Sequence, residues 1–417
     1  MNKIRFLTAG ESHGKALTGI IEGVPAGLSI DSNYINEQLA RRQKGYGRGG
    51  RMKIEKDQVQ ILSGVRNGKT MGSPISLMIE NLDWENWKDI MSISTLSESK
   101  KITLPRPGHA DLAGIKKYDF DDIRDVIERS SARETTMRVA LSCICRKLLE
   151  DLGISLCSHV TAIKNINSSY KFDESKNPID LNDEADDSPL RCLDENAEKL
   201  MINAIDQAKA NGDSVGGQFE VIAAGLPYGL GSYVHWDRKL HAQISSMLMS
   251  INAMKAIEFG NLDIIQNQTG SNVHDQMYNK DGQIKRRTNN SGGFEGGMTN
   301  SEPLILRMTM KPLSSLVKPL DSVDINSKLD KKAHRERSDS CAVPAASIIA
   351  ENTLSFVAIH ELSHIMTPET GHTPLFWDNM KFLLEQASSQ GIYMHVDYSQ
   401  SPVEYCGMDI NSTPMNS

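Results

Sequence analysis

An α+β fold is predicted for this chain of 417 residues, on three observations. Strand-like and helical segments are mixed without the regular alternation that a doubly wound βαβ sheet needs. No internal repeat recurs, and no linker divides the first ~350 residues into separate domains. Hydrophobic residues make up 39% and charged residues 24% of the chain, enough apolar material for a large core without disulfide or metal staples.

The elements follow in order. Ile4–Leu7 reads as a short strand, broken by Ala9-Gly10-Glu11-Ser12-His13-Gly14. Leu17–Val24 resumes β-branched character before the Pro25-Ala26-Gly27 turn. Ser32–Arg42 is a helix, with Ile35 and Leu39 four apart on one face. Lys44–Asp57 is basic and glycine-rich, hence a loop. Val59–Val65 and Pro74–Asn81 pair as strands around Asn67-Gly68. Asp121–Asp151 is the longest helical stretch, with a break near Ser130-Ser131. Ser158–Ile166 is a strand, and the acidic stretch 173–194 reads as a surface loop. Glu195–Asn211 is a helix, and Gly216–Pro227 a strand running into a turn. Arg238–Lys255 is helical, with Leu240, Ile244, Met247 and Leu248 on one face. A polar, glycine-rich loop over Gln283–Pro303 leads to a strand over Leu304–Leu313. An apolar helix starts after Cys341.

A net charge of −7 argues against a general nucleic-acid binder, which needs a basic surface. A local basic pocket is compatible with it. No signal peptide precedes Gly10, and no apolar run reaches the ~20 residues that span a bilayer. Six cysteines form no CxxC pair, and Cys143 and Cys145 are too close to bridge easily. Reduced thiols and a cytoplasmic location follow.

Three segments place charged residues among small ones. Gly10-Glu11-Ser12-His13-Gly14 lets backbone approach a ligand and exposes a histidine that can donate a proton. Taken alone it is a tight turn with a surface histidine. In Glu128–Ala140, Arg129, Arg133 and Arg138 lie four and five apart, beside Ser130, Ser131 and Ala132, against which a phosphorylated ligand could rest. The plainer reading is a solvated charged face. In Glu336–Glu351, Arg337 and Asp339 precede the apolar helix. Asp339 near a helix N-terminus favours a proton-accepting carboxylate, or Ser338 or Asp339 is simply the N-cap. Arg41, Arg42, Arg48 and Arg51 flank the Gly45-Tyr46-Gly47 turn. So many guanidinium forks in glycine- and serine-rich loops point to a small polyanionic substrate.

These segments, quoted as AGESHG, RRQKGYGRGGRM, RPGHAD, ERSSARETTMRVA, GGMTNSEPLILRMTMKP and RSDSCAVPAASIIAE, resemble chorismate synthase in sequence and in order, from about Lys3 to Glu351. The resemblance implies a β-α-β sandwich assembled as a homotetramer. It implies 1,4-anti-elimination of phosphate from 5-enolpyruvylshikimate 3-phosphate to give chorismate, with reduced FMN and no net redox change. His13 would give a proton to the departing phosphate. His109 would protonate or hydrogen-bond the flavin, and Asp339 would accept a proton through it. FMN contacts are implied for Arg129, Ser130, Ser131, Asn252, Ala253, Gly296, Lys311, Pro312, Leu313, Ser314, Ser315 and Arg337. Arg42, Arg48 and Arg133 are implied for the substrate or NADP, and Arg337 is shared between ligands. Some members reduce flavin with NADPH and others take outside reductant; both stay open.

Residues 1–351 thus form the expected synthase domain and 352–417 an atypical C-terminal segment. This segment reads AIHELSHIMTPETGHTPLFW from Ala358 and resembles part of a WLM or SprT-like zinc metallopeptidase. His360 and His364 are one helical turn apart and could share a metal, with His372 as third ligand and Glu361 polarising bound water. The plainer reading is a terminal helix that packs Phe356, Val357 and Ile359 on the core. Neither a nucleic-acid partner nor a membrane is expected.

Overall fold

The structure, a computed structural model, describes residues 4–94, 101–173 and 178–365, and two short strands at 403–405 and 408–410. In chain order the main elements begin with β1 (Arg5–Ala9), β2 (Ala16–Glu22), α1 (Ser32–Gln43), β3 (Val59–Ser63) and β4 (Ile75–Glu80). Next come α2 (Asp111–Tyr118), α3 (Arg124–Ser130), α4 (Glu134–Asp151), β5 (Ser155–Ile163) and β6 (Ile166–Asn167). The rest are α5 (Pro178–Asp187), α6 (Glu195–Ala210), β7 (Gly217–Ala224), α7 (Leu240–Met249), β8 (Met254–Phe259), β9 (Leu304–Met310) and α8 (Val343–Ile365).

Two antiparallel sheets enclose a layer of helices. One runs β1-β2-β4-β3 and the other β8-β9-β7-β5-β6. Side chains alternate as the pleat requires. In β4, Ile75, Leu77 and Ile79 point inward, and in β9 Leu304, Leu306, Met308 and Met310 do so. Helix α4 lies against the first sheet and α8 against the second, with α1 packed on both helices. Gly19 permits the first contact, because a Cβ there would meet Met137 and Leu141 at 2.7 Å. This is a β-α-β sandwich, and its mixed helix and strand content with antiparallel sheets bears out the α+β class.

Helix α8 has apolar residues on every side, and even its polar Glu351, Asn352 and Ser355 are buried, as in a core helix. Val343–Leu362 has the length and apolarity of a membrane span, contrary to the expectation that no such run exists, but 94% of it is buried within the protein. It is the core helix of the sandwich. Phe356, Val357 and Ile359 are buried in the main core, and Phe356 stacks on Phe6 of β1 with ring centroids 4.2 Å apart. Glu351 is therefore no natural end of the packed unit, since Leu354 to Leu362 continue it without a break.

Other expectations shift locally. The helical stretch expected over Asp121–Asp151 starts at Arg124 and divides into α3 and α4 at 131–133, next to the break expected near Ser130-Ser131. Stretch 173–194 contains α5, whose Leu181 and Ala185 face inward beneath an acidic exterior. Pro178 at its first turn fits the preference of proline for that position. The helix expected over Arg238–Lys255 stops at Met249, and β8 begins at Met254 after Ala253 takes a left-handed φ of 67°. The Gln283–Pro303 loop contains three short strands. No helix is capped by Ser338 or Asp339, because α8 starts at Val343.

Candidate active site

A cavity of about 450 Å³ forms where the turn after β1, the α3–α4 junction, the segment before α2, Asn252–Lys255, the loop after β9 and Glu336–Ser338 meet. Both His13 and His109 line it, although nearly a hundred residues separate them in sequence.

His13 is set by partners from distant segments. Its Nδ1 lies 2.9 Å from Glu128 Oε1, and its backbone N–H donates to Glu128 Oε2 at 2.8 Å. Trp87 stacks on the ring with centroids 3.8 Å apart. On the opposite edge Arg51 Nη1 is 3.4 Å from His13 Nε2. Burial alone would raise the Glu128 carboxyl, but the His13 hydrogen bonds and Arg124 outweigh it and hold it below the usual carboxylate range.

His109 repeats the arrangement with other residues. Its Nδ1 is 2.5 Å from Asp111 Oδ1. Arg106 clamps the same carboxylate through Nε at 2.8 Å, Nη2 at 3.0 Å and its backbone N–H at 2.9 Å. Asp111 is wholly buried. Burial pushes its carboxyl up, and the bonds from His109 and Arg106 pull it well below the usual range. Arg106 also donates to Ser315 at 2.7 Å, which ties the loop after β9 to this centre.

Asp339 lies beside cavity-lining Ser338. Its Oδ1 accepts the Gly49 N–H at 2.6 Å, and Arg48 Nη1 is 3.4 Å from Oδ2. Gly49 cannot be larger, since a Cβ would sit 2.7 Å from the Ser338 carbonyl oxygen. The basic loop is thereby fastened to the segment before α8.

Of the residues implied for ligands, Ser130, Ser131, Asn252, Ala253, Lys311, Leu313, Ser314, Ser315 and Arg337 line this cavity. Pro312 does not; it lines a neighbouring hollow. Gly296 sits in a hairpin turn near Tyr233, away from the cavity. Arg129 donates to the Thr8 carbonyl at 2.8 Å and to Gly10 at 3.1 Å. Arg42 is buried and bonds Thr135 and the Ala132 carbonyl, with one Nη atom lacking a hydrogen-bond partner. Arg133 reaches Asp57 at 2.5 Å and Asn81 at 2.9 Å. Arg42, Arg129 and Arg133 are not among the lining residues, whereas Arg51, Arg106 and Lys311 line the cavity while also bonding Ser12, Asp111 and Ser314.

Sequence reasoning counted Arg51 among the arginines for a polyanionic substrate but gave no role to Glu128, Asp111, Trp87 or Arg106. Arg106 and Asp111 were in plain view within RPGHAD, and Glu128 opens ERSSARETTMRVA. Only the fold shows that each carboxylate holds a histidine. A second hollow of about 420 Å³, on the outer face of the five-stranded sheet, is lined by no histidine.

The zinc expectation finds no support. Among the described residues no group of three or more His, Cys, Asp or Glu side chains could hold a metal. His360 and Glu361 ride on α8, where Glu361 is buried between core residues of the same helix. The side chain of His364, and His372 altogether, lie outside the described residues.

Comparison with known proteins agrees with the fold. The family model for chorismate synthase matches residues 4–362, past the boundary expected at 351. A chorismate synthase from Geobacillus sp. (strain WCH70) is 52% identical over 358 residues, 85% of this chain and 92% of that protein. Chorismate synthase 1 of Bacillus cereus (strain ATCC 14579) is 54% identical over 360 residues, with the same coverage of 85% and 92%. A crystal structure of chorismate synthase superposes with a TM-score of 0.69 at 35% identity, covering 93% of this chain and 99% of the other. The chain belongs to the chorismate synthase family.

Proposed function

We propose that this protein eliminates phosphate from 5-enolpyruvylshikimate 3-phosphate to give chorismate. One observation carries the reading: His13 and His109 converge on one cation-lined cavity, each with Nδ1 beside a buried carboxylate. The substrate bears two carboxylates and a phosphate, and Arg51, Arg106, Lys311 and Arg337 supply the matching charge. Arg51 Nε is buried without a hydrogen-bond partner, as a donor awaiting an anion would be.

The donor set also suits FMN. Ser130, Ser131, Asn252, Lys311, Ser314 and Ser315 offer phosphate and ring contacts, and strained Ala253 brings backbone to the cavity wall. Held by these residues, reduced FMN would supply the transient electron density that breaking the C–O bond requires. Once Nε2 has taken up the ring's second proton, the imidazolium being held at Nδ1 by Glu128, His13 gives that proton to the departing phosphate oxygen. His109, held by Asp111, keeps its Nε2 edge for a proton on the cavity side. Asp339 does not line the cavity and is held by Gly49 and Arg48, so it has no direct contact with a ligand there and serves to fasten the basic loop beside the site.

The test is phosphate release under anaerobic conditions with reduced FMN. Turnover by the full chain supports the reading, and none from folded protein removes it. Bleaching of FMN by NADPH alone, in the same cell, decides whether this chain reduces its own flavin. Replacing Arg51 with alanine raises KM for the substrate about 10–100-fold, the worth of one charged hydrogen bond, and an unchanged KM would place the phosphate elsewhere. A homotetramer is part of the proposal. It is supported by apolar surface on the 277–286 hairpin, where Met277 and Ile284 are exposed, and is tested by light scattering. A cytoplasmic location accords with five free, buried cysteines among the described residues.

A further inference from the structure

Glu128 does not line the cavity, yet it is nearly fully buried, and among the described residues its side-chain hydrogen bonds go to His13 and Arg124. A carboxylate is excluded from water only when its partners compensate it. Here the partners form a rigid cradle. Arg124 Nη1 donates to Glu128 at 3.1 Å and to Glu336 at 3.0 Å, and its guanidinium lies over Trp87 at 4.9 Å. Trp87 in turn stacks on His13 at an interplanar angle of 21°, and its indole N–H donates to Asp83 at 3.2 Å. The Glu128 backbone carbonyl accepts the Ser12 N–H at 2.9 Å. Backbone and side chain of one residue therefore grip the turn that carries His13.

The two edges of the ring agree on one tautomer. A carboxylate only accepts, so Nδ1 at 2.9 Å from Glu128 carries hydrogen. A guanidinium only donates, so Nε2 facing Arg51 at 3.4 Å presents its lone pair. We propose that Glu128 is a positioning residue that holds His13 in the Nδ1–H tautomer and leaves Nε2, on the cavity side, as the nitrogen that exchanges a proton with a ligand.

The kinetic arm of the test rests on the proposed elimination; the tautomer does not. Protein carrying ¹⁵N-labelled histidine is examined by long-range ¹H–¹⁵N correlation at a pH where the rings are neutral, with the His13 signal assigned from its loss in His13→Asn. Wild type is expected to show Nδ1–H, and Glu128→Ala to shift the signal towards Nε2–H. Turnover of Glu128→Ala falls about 10²-fold, with KM for substrate changed by less than about threefold. Glu128→Gln keeps the shape but lets the amide either accept or donate, so both tautomers appear and turnover falls at least about tenfold. It serves in place of the alanine variant should that one not fold. An Nε2–H signal in wild type, or wild-type spectrum and turnover in both variants, overturns the proposal. Failure of wild type to release phosphate would remove the elimination, and the spectrum would still decide the role of Glu128.

Discussion

Replacing His13 with alanine is expected to lower the rate of phosphate release about 10²–10⁴-fold, the usual worth of a positioned general acid. Affinity for reduced FMN should change far less. The reasoning is geometric. His13 contributes one edge of its ring to the cavity, next to Arg51, and its ring bonds go to Glu128 and Arg51, not to the serine and lysine groups on the other side. The fold should survive the change, because Glu128 retains Arg124 at 3.1 Å and the backbone N–H of residue 13 at 2.8 Å. His109→Ala is the companion experiment. Asp111 keeps three donors from Arg106, so it too stays compensated. Stopped-flow phosphate detection and flavin titration separate the two quantities. If either variant lost FMN affinity in step with turnover, the histidine would be a ligand-holding group and the proton-transfer role would be withdrawn.

Much of the fold could be read from the chain where apolar spacing is clean. Ile35 with Leu39, and the alternation in Val59–Ser63 and Leu304–Met310, placed α1, β3 and β9 within a few residues. Elements whose exterior dominates their composition escaped. α5 shows acids outward and only Pro178, Leu181, Asn182 and Ala185 inward. β8 was absorbed into a helix because nothing local announces that Ala253 takes a positive φ. For the site, the contrast is between residue type and partner. A histidine among glycines can be noticed in sequence, whereas the carboxylate 115 positions away that orients it cannot. Arginines mislead in the opposite direction. Arg133 has the same chemistry as Arg51, and only the packing shows that Arg133, engaged by Asp57 and Asn81, stays off the cavity while Arg51, bonded to Ser12 and Glu55, lines it.

The largest stability loss is expected from Glu351→Ala. Glu351 was taken as the last residue of the synthase domain, but it is a buried hub. Its Oε1 accepts from Arg41 at 2.9 Å, from Asn182 at 3.0 Å and from Arg146, and its Oε2 accepts from Ser158 at 2.6 Å. Arg191 stands 3.6 Å away. One carboxylate thus binds α1, α4, α5 and β5 to α8. The surrounding charges balance, since Arg41, Arg146 and Arg191 face Glu351, Asp186 and Glu150. Deleting Glu351 leaves one positive charge in excess in a dry interior, at a cost of about 3–5 kcal/mol. The pH dependence has a definite sign. Burial would raise this carboxyl, but the three arginines outweigh it and hold it below the usual range. A lowered carboxyl stabilises the fold above the unfolded value of about 4.3 and loses that contribution as pH falls towards the folded one. Urea unfolding at neutral pH and near pH 4 should therefore show wild type losing stability on acidification, and Glu351→Gln losing less. An alanine variant within about 1 kcal/mol of wild type would mean that the guanidinium cluster finds other partners, and that α8 is held by its apolar faces alone.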